Sequence, residues 1–294
     1  MKASVIICSC NRARQLSEAI KSVLAQETVD TVAWEIIVVD NNSKDETRET
    51  VEKLCEMSRV PLRYVFERRQ GLGYARNAGI HQARGEVIAF TDDDIVVDKF
   101  WLRRILEQFE SDSTLAFLAG RVEPLTGLSP NVANTRCRVD VALDRMRSLD
   151  GMVVGGNMAV ARAICIRLGG FDTRLGAGRG LACEDIDFAY RLLRAGFRGR
   201  FSVAPVVYHD AGFRDRQREN LRGWGAFYLK HLLYGDPYVV RKAWWELRRI
   251  GKDLFCHHGS QISRLQETVQ LVTGALIMAM RMGASLFTIG ETVH

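Results

Sequence analysis

The chain has 294 residues, which is enough for one large domain or two small ones. Its composition, 47% hydrophobic and 26% charged, is that of a globular protein with a full core. The net charge of +6 is too small and too dispersed to indicate binding to nucleic acid, so no nucleic-acid partner is expected.

The cysteines are typical of a reducing compartment. Seven of them are scattered among apolar neighbours without a CxxC pair. This pattern predicts reduced thiols in a cytoplasmic protein and gives no support to a zinc site. The first residues, MKASVIICSC, run directly into a predicted strand, so no signal peptide is expected.

Strand and helix signals alternate through residues 1–114. Strands are predicted in four apolar blocks: ASVIICS, WEIIVVDNNS, LRYVFER and EVIAFTDDD. Helices are predicted in the segments that follow them: NRARQLSEAIKSVLAQ, DETRETVEKLCEMS, GLGYARNAGIHQAR and DKFWLRRILEQFES. Apolar strands that alternate with helices predict an α/β fold with a mostly parallel central sheet flanked by helices. Right-handed crossovers make this part Rossmann-like.

The pattern loosens after residue 114. Strands are predicted in LAFLAGRVEPL, GMVVGGNMAVAR and RFSVAPVVYHD, and a glycine-rich loop precedes the helix CEDIDFAYRLLRAG. Beyond residue 210 the chain is helical in pattern and basic. We therefore expect one domain over residues 1–210, in two halves (1–114 and 115–210), and a helical extension over residues 211–294.

Three consecutive carboxylates follow the fourth predicted strand. Side chains alternate along a strand, so Asp92 and Asp94 share one face while Asp93 points the other way. Two carboxylates at one strand end suit a divalent cation. The alternative is a solvated turn with acidic residues near a helix N-terminus.

Polar residues also end the first two predicted strands, and ligands of open parallel sheets bind beyond these ends. Ser9 ends the first strand, and Asp40 ends the second, where it is suited to accept a hydrogen bond from a base or ribose. The alternative for Asp40 is a helix-capping turn in which Asn42 or Ser43 is the cap. Arg76 could reach a diphosphate or could be a packing residue.

A second acidic cluster begins the helix CEDIDFAYRLLRAG. The helix dipole favours Glu184 and Asp185 in the first turn, and Asp187 can pair with Arg191. A carboxylate beside the preceding glycine-rich loop could instead act as a general base toward a hydroxyl. His209 at a strand end is either structural or part of a mixed nitrogen and oxygen ligand set for manganese or magnesium.

Together these segments resemble the family 2 glycosyltransferases of the GT-A fold. The resemblance covers residues 3–210, in the family's order and spacing. It rests on these stretches: SVIICSCNRARQLSEAIKSVLAQ, WEIIVVDNNSKDET, GLGYARNAGIHQARGEVIAFTDDD, GGNMAVAR, GGFDTRLGAG, CEDIDFAYRLLRAGFRG and APVVYH. Two turns depart from the family's pattern, since Cys8-Ser9-Cys10 replaces Pro-Thr-Tyr and Asp40-Asn41-Asn42-Ser43 replaces Asp-Asp-Gly-Ser.

The resemblance implies a nucleotide-sugar-binding half over residues 1–114 and an acceptor-binding half over residues 115–210. It implies Mn²⁺ or Mg²⁺ as the cofactor and a nucleotide-diphosphate sugar, expected to be a UDP-sugar, as the donor. The residue roles that it implies are: Ser9 and Asp40 at the nucleoside, Asp92 at the ribose and cation, Asp94 and His209 as metal ligands, Asp185 as base and Glu184 in support of it. From the sequence itself we also count Arg76 and Asp93 among the donor-site residues, with Asp93 serving the turn.

The expected function is therefore a metal-dependent inverting glycosyltransferase of polysaccharide, glycolipid or cell-envelope glycan synthesis, with a glycan or lipid-linked acceptor. One alternative is a haloacid-dehalogenase-type phosphatase with Asp92 as nucleophile, because DDDIV fits the DxDxV pattern. That motif normally follows the first strand of the domain, whereas here it follows the fourth. The other alternative is a non-catalytic binding protein with the same fold.

The extension has features of a membrane surface segment. Trp244 and Trp245 lie among arginines and lysines, which suits a lipid headgroup region. Further on, the 12 apolar and polar residues Val269 to Met280 end at the charge of Arg281, and a bilayer span needs about 20. We expect peripheral contact with the inner face of the membrane; the alternatives are a helix docked on the domain and, as the minor case, a genuine span.

Overall fold

The computed structural model describes residues 1–27, 32–125, 137–144, 149, 151–209, 217–242, 244–245, 248 and 261–289. The strands are β1 (Ala3–Ser9), β2 (Trp34–Asp40), β3 (Leu62–Phe66), β4 (Val87–Asp92), β5 (Val96–Val97), β6 (Leu115–Glu123), β7 (Val141–Leu143), β8 (Met158–Ala161) and β9 (Arg198–Tyr208). The helices for which both ends lie in the described residues are α1 (Ala13–Leu24), α2 (Thr47–Met57), α3 (Leu72–Gln82), α4 (Trp101–Ser111), α5 (Arg162–Arg167), α6 (Glu184–Arg194), α7 (Gln217–Leu233) and α8 (Gln261–Ile289).

The described strands form one sheet in the order β3-β2-β1-β4-β8-β6-β9-β5, with β7 paired to β9. The first four strands of this order are parallel, as predicted. The other part of the sheet is mixed, because β8 runs antiparallel to both β4 and β6. In the described residues 151–157 the chain approaches this strand as a glycine-containing loop, and the strand begins at the edge where β4 ends: Met158 pairs with Phe90.

The core forms where the apolar blocks of the sequence meet the helices. Every residue of β1 and β2 is buried, and α1 covers them with an apolar face that includes Leu16, Ile20 and Val23. Helix α3 packs closely on β1, because a Cβ at Gly79 would lie 2.7 Å from the Ile6 side chain. This close packing brings α3 down onto the sheet.

The chain divides into two compact units. The first contains residues 1–173 and 184–213, and the second contains residues 174–183 and 214–294. In the second unit α7 and α8 pack against each other at Gly225 and Gly274, where each glycine faces the backbone of the other helix. Its apolar cluster is formed by Leu175, Leu181, Ala226 and Met278. None of the described helices combines the length and the apolar character that crossing a membrane requires.

Candidate functional site

The carboxyl ends of β2, β1 and β4 lie side by side at one edge of the sheet. The register pairs Ser9 with Asp40 and Cys8 with Asp92, so the polar strand ends predicted from the sequence are neighbours. The two-residue strand β5 then pairs antiparallel with β9, with Val96 opposite Tyr208. This pairing brings the end of β9 to the same edge and places His209 beside residues Asp92 to Asp94, which we call the aspartate turn.

Asp40 is held by two hydrogen bonds. The Tyr64 hydroxyl donates to Oδ2 at 2.7 Å, and the Ser43 backbone N–H donates to Oδ1 at 2.8 Å. Burial, together with the bond to Asp40, raises the pKa of Tyr64. Just before α2, Asp45 accepts from both the backbone N–H and the hydroxyl of Thr47, a contact that sequence reasoning missed.

An open pocket of about 400 Å³ lies beside Asp40. Its floor includes Tyr64 and the half-exposed ring of Phe66. Polar and charged groups complete its lining: Ser43, Lys44, Asp45, Arg48 and Glu49. Aromatic surface next to a fixed carboxylate can stack on a planar ring and accept a hydrogen bond from its edge. The pocket therefore offers the groups that a planar base needs.

Asp93 is turned into the protein. The Ser9 hydroxyl donates to its Oδ2 at 2.7 Å, and Arg12 donates to its Oδ1 at 3.1 Å. Burial raises the pKa of Asp93 to about 6. The side chains of Ser9 and Asp93 thus bond to each other, and together with Arg12 they support the turn from within.

Asp94 lies between two basic side chains. Arg12 donates to Oδ2 at 2.8 Å, and the Nε2 atom of His209 lies 3.3 Å from Oδ1. The carboxylate keeps a quarter of its surface exposed. Arg12 was missed by sequence reasoning, because a lone arginine after a strand carries no signal of the two aspartates that it contacts.

Asp94 and His209 offer two side chains of the kind that bind a divalent cation. Asp94 offers carboxylate oxygen and His209 offers imidazole nitrogen, a set that suits manganese or magnesium. Within the described residues, no cluster of three or more His, Cys, Asp or Glu side chains could hold a metal ion. A cation here would complete its coordination with water and diphosphate oxygens, as magnesium commonly does.

Arg76 joins the aspartate turn to the second acidic cluster. Its guanidinium is 2% exposed and donates to Asp92 Oδ1 at 3.2 Å and to Glu184 Oε1 at 2.9 Å. Burial alone would lower its pKa, but the charges of Asp92 and Glu184 outweigh burial and raise the pKa above its ordinary value. The structure therefore unites two motifs that the sequence presents separately.

Glu184 and Asp185 occupy the first turn of α6. Burial raises the pKa of Glu184 to about 7, and the neighbouring charge of Asp185 adds to the effect. Asp185 is only half-buried and accepts from the backbone N–H groups of Gly155 at 2.8 Å and of Ile186 at 2.8 Å. Burial also raises the pKa of Asp185, so this carboxylate has more base strength than an exposed aspartate.

Asp187 has a structural role, the pairing with Arg191 that was the alternative to a catalytic role in the sequence analysis. It pairs with Arg191 at 2.9 Å, and Arg191 also donates to the backbone carbonyls of Leu168 and Gly170. These bonds tie α6 to the end of α5 and to the glycines that follow it. The pair therefore stabilises the helix that carries Glu184 and Asp185.

The loop before β8 forms one wall of the site because it carries two glycines. A Cβ at Gly155 would lie 2.5 Å from the Arg76 guanidinium, and one at Gly156 would lie 2.8 Å from Asp92 Oδ2. The loop is fixed by the buried Asn157, whose Oδ1 accepts from the Trp101 indole N–H at 2.8 Å. In the sequence, the two consecutive glycines before a predicted strand were the signal from which a close approach of this loop to neighbouring side chains could have been predicted.

Comparison with known proteins identifies the family. The family model described as glycosyl transferase family 2 matches residues 4–167. An uncharacterized glycosyltransferase of Nostoc is 42% identical over 118 residues, which is 40% of this chain and 36% of that protein. A glucosyl-dolichyl phosphate glucuronosyltransferase of Haloferax volcanii is 28% identical over 184 residues, 60% of this chain and 58% of that protein. The chain thus spans about a third to three fifths of these relatives.

Solved structures share the fold. The Staphylococcus aureus TarS fragment 1–349 in complex with UDP superposes with a TM-score of 0.61 at 19% identity, over 93% of this chain and 81% of that chain. The mannosyltransferase PcManGT of Pyrobaculum calidifontis, in complex with GDP-Man and Mn²⁺, gives a TM-score of 0.56 at 19% identity, over 99% of this chain and 80% of that chain. The predicted GT-A fold class is confirmed by these matches, and the family match counts against the phosphatase alternative.

Proposed function

Because the chain belongs to glycosyl transferase family 2, we propose that it is a metal-dependent, inverting glycosyltransferase. It moves a sugar from a nucleotide-diphosphate sugar to an acceptor hydroxyl. The observation that carries this proposal is the meeting of two acidic groups at one sheet edge: Asp92 of the aspartate turn and Glu184 of α6 share the buried cation of Arg76. A binding protein would have no need of a basic carboxylate beside such a turn.

The donor base occupies the pocket beside Asp40 and Tyr64. Its uracil or other base stacks on the aromatic floor and bonds to the Asp40 carboxylate, which Tyr64 and Ser43 hold in place. Structures with the same fold are described with UDP, with UDP-GlcNAc and with GDP-Man. A UDP-sugar is our proposed donor, and Asp40 is the residue that reads the base.

The diphosphate lies over the aspartate turn. Asp94 and His209, with the exposed part of Asp92, are the residues that hold Mn²⁺ or Mg²⁺. When bound, this cation neutralises the negative charge that develops on the departing diphosphate. Ser9, Asp93 and Arg12 keep the turn in position from the inner side.

Asp185 removes the proton from the acceptor hydroxyl. The N–H groups of Gly155 and Ile186 orient its carboxylate, and burial raises its pKa toward the range of a useful base. Glu184 supports it by anchoring the first turn of α6 to Arg76. One displacement by a hydroxyl on the face opposite to the leaving diphosphate inverts the anomeric carbon.

The acceptor belongs to polysaccharide, glycolipid or cell-envelope glycan synthesis. Relatives include a chondroitin synthase of Escherichia coli, 25% identical over 275 residues, which are 81% of this chain and 39% of that protein. The relative of Haloferax volcanii is named for a dolichyl phosphate acceptor. A glycan or lipid-linked acceptor, used on the cytoplasmic side of the membrane, is consistent with both.

The extension makes peripheral contact with the inner membrane face. Residues 211–294 contain 12 of the 41 basic and 7 of the 35 acidic residues, so almost the whole net charge of the chain lies there. Trp244 and Trp245 are each more than half exposed. Helix α8 also exposes an apolar stripe at helical spacing: Val269, Val272, Leu276 and Met280. Positive charge with exposed tryptophans suits an anionic lipid surface.

A panel of sugar nucleotides tests the proposed activity. Purified protein is incubated with UDP-, GDP- and ADP-sugars and Mn²⁺, and the release of nucleoside diphosphate is measured with and without EDTA. We expect release from one class of donor, which EDTA abolishes. Binding of a sugar nucleotide without release, with acceptor glycans and lipid-linked sugars supplied, would favour the non-catalytic alternative.

A further inference from the structure

Arg76 holds together two groups that serve different substrates in the proposed reaction. Asp92 belongs to the turn under the donor diphosphate, and Glu184 belongs to the helix that presents the base to the acceptor. The two carboxylates are bound by different nitrogens of one guanidinium, at 3.2 Å and 2.9 Å. We propose that Arg76 is a positioning residue that couples donor binding to the placement of the catalytic base. This inference rests on the proposed function.

The position of the guanidinium leaves it little freedom. It lies over the rings of Phe171 at 5.2 Å and Phe90 at 6.0 Å. Phe171 in turn stacks on Phe188 of α6 with ring centroids 4.5 Å apart. The backbone of Gly155 also lies against the guanidinium, since a Cβ there would overlap it at 2.5 Å. Strand β4, helix α6 and the loop that contains Gly155 therefore hold the planar guanidinium of Arg76 in one orientation.

The same contacts exclude Arg76 from a direct role at the diphosphate. Only 2% of the residue is exposed, and both terminal nitrogens bond to carboxylates. A buried charge that loses one partner leaves the other uncompensated. The arginine is therefore expected to stay between Asp92 and Glu184 when a donor binds.

The coupling follows from this shared cation. Asp92 is partly exposed, with one oxygen on Arg76, so the orientation of the guanidinium sets the direction in which the carboxylate faces the donor. Glu184 is buried and precedes Asp185 in the first turn of α6, so the same guanidinium fixes the start of the helix that carries the base. A lysine could not replace it, because a single ammonium group lacks the planar fork that reaches both carboxylates.

A double-mutant cycle tests the coupling with Arg76→Lys, Glu184→Gln and the double variant. The affinity for UDP and for GDP, each with Mn²⁺, is measured by calorimetry, and folding is checked by circular dichroism. We expect Glu184→Gln to weaken nucleotide binding roughly tenfold, a coupling of the size seen between contacting residues, although Glu184 lies on the acceptor side. The double variant should bind no more weakly than Arg76→Lys alone.

Arg191→Lys is the matched control. This arginine is also paired with a buried carboxylate of α6, Asp187, but its hydrogen bonds go to that residue and to backbone carbonyls, not to Asp92 or Glu184. The control should lower the melting temperature without changing nucleotide affinity.

If the wild type binds nucleotide, two results would overturn the coupling and leave the proposed function standing. One is an unchanged nucleotide affinity in Glu184→Gln. The other is a loss of affinity in the double variant that equals the sum of the losses in the two single variants. A wild type that binds neither nucleotide would overturn the proposed function as well. If Arg76→Lys does not fold, the nearly isosteric variant Glu184→Gln still tests the coupling. Its effect on nucleotide affinity is then sufficient to decide the question.

Discussion

The hydroxyl of Ser9 donates a 2.7 Å hydrogen bond to Asp93, the middle residue of the three consecutive aspartates. Since this bond turns Asp93 inward, Asp92 and Asp94 remain at the surface of the sheet edge with about a quarter of each side chain exposed. The three carboxylates therefore differ in role: Asp93 supports the turn, and Asp92 and Asp94 are partly exposed at the edge of the sheet.

Removal of the Asp94 carboxylate is expected to abolish activity without unfolding the protein. Asp94→Ala deletes the carboxylate that we propose as a metal ligand beside His209, so nucleoside diphosphate release should fall by about two to three orders of magnitude, and Mn²⁺ binding should weaken. Asp112→Ala serves as the control, because Asp112 pairs with Arg200 away from the site. Full turnover of Asp94→Ala in metal-free buffer would remove the aspartate from the cation site.

Asp185→Asn is expected to separate binding from chemistry. The amide can still accept hydrogen bonds from Gly155 and Ile186 but cannot take a proton, so kcat should fall by roughly two to four orders of magnitude. Calorimetry should show nucleotide affinity close to that of the wild type. A nearly normal kcat would transfer the role of base to another group, with Glu184 as the first candidate.

The pH dependence of kcat should report the acidic pair. A base works only when deprotonated, and burial raises the pKa of Asp185 above its ordinary value. The rate should therefore fall with decreasing pH at a higher pH than for an exposed aspartate. Glu184, with a pKa of about 7, contributes to the same limb. A rate that stays constant down to about pH 4, the ordinary range of an aspartate, would contradict this assignment.

Gly156→Ala is expected to damage the site through space alone. The new Cβ would lie 2.3 Å from the Ile95 side chain and 2.8 Å from an oxygen of Asp92, so both side chains must move and the rate should fall at least roughly tenfold, the scale of a small misplacement. Gly283→Ala is the control, because nothing lies within 4 Å of the added Cβ and helix α8 should gain up to about 1 kcal/mol. Equal activity in both variants would show that the glycine loop has no role.

Flotation with anionic vesicles should depend on the exposed tryptophans. We expect the intact protein to float at low salt and less at high salt, because salt screens the attraction to headgroups. The double change Trp244→Ser with Trp245→Ser should reduce flotation, whereas Met57→Ser, which removes an apolar side chain that is 80% exposed on α2, should not. If the wild type never floats at low salt, the membrane proposal fails.

The local sequence pattern was sufficient to predict where the strands end, whereas the order of the strands in the sheet depends on pairing between distant segments. The apolar blocks mark where β1, β2 and β4 stop, and parallel strands end at a common edge, so the sequence was sufficient to place Asp40 and Asp92 together. The antiparallel insertion of β8 could not be predicted, because it depends on which distant strands its edges meet.

The same limit applies to the side-chain partners. Arg76 and Glu184 are joined by tertiary packing alone, and so are Arg12 and Asp94. Neither pair leaves a spacing in the sequence from which the contact could be predicted.

The position of β9 sets the smallest piece of the chain that could be active. The family match ends at residue 167, yet β9 is hydrogen-bonded to β5, β6 and β7 and leads to His209. A fragment that ends with the family match would retain the pocket at Asp40 but lack Asp185, our proposed base, together with His209 and the strand that joins β5 and β7 to the sheet. Its β6 would present an open edge prone to aggregation. A truncation must therefore keep residue 209, and one that also removed α7 and α8 would uncover Leu175 and Leu181, which are buried against Ala226 and Met278.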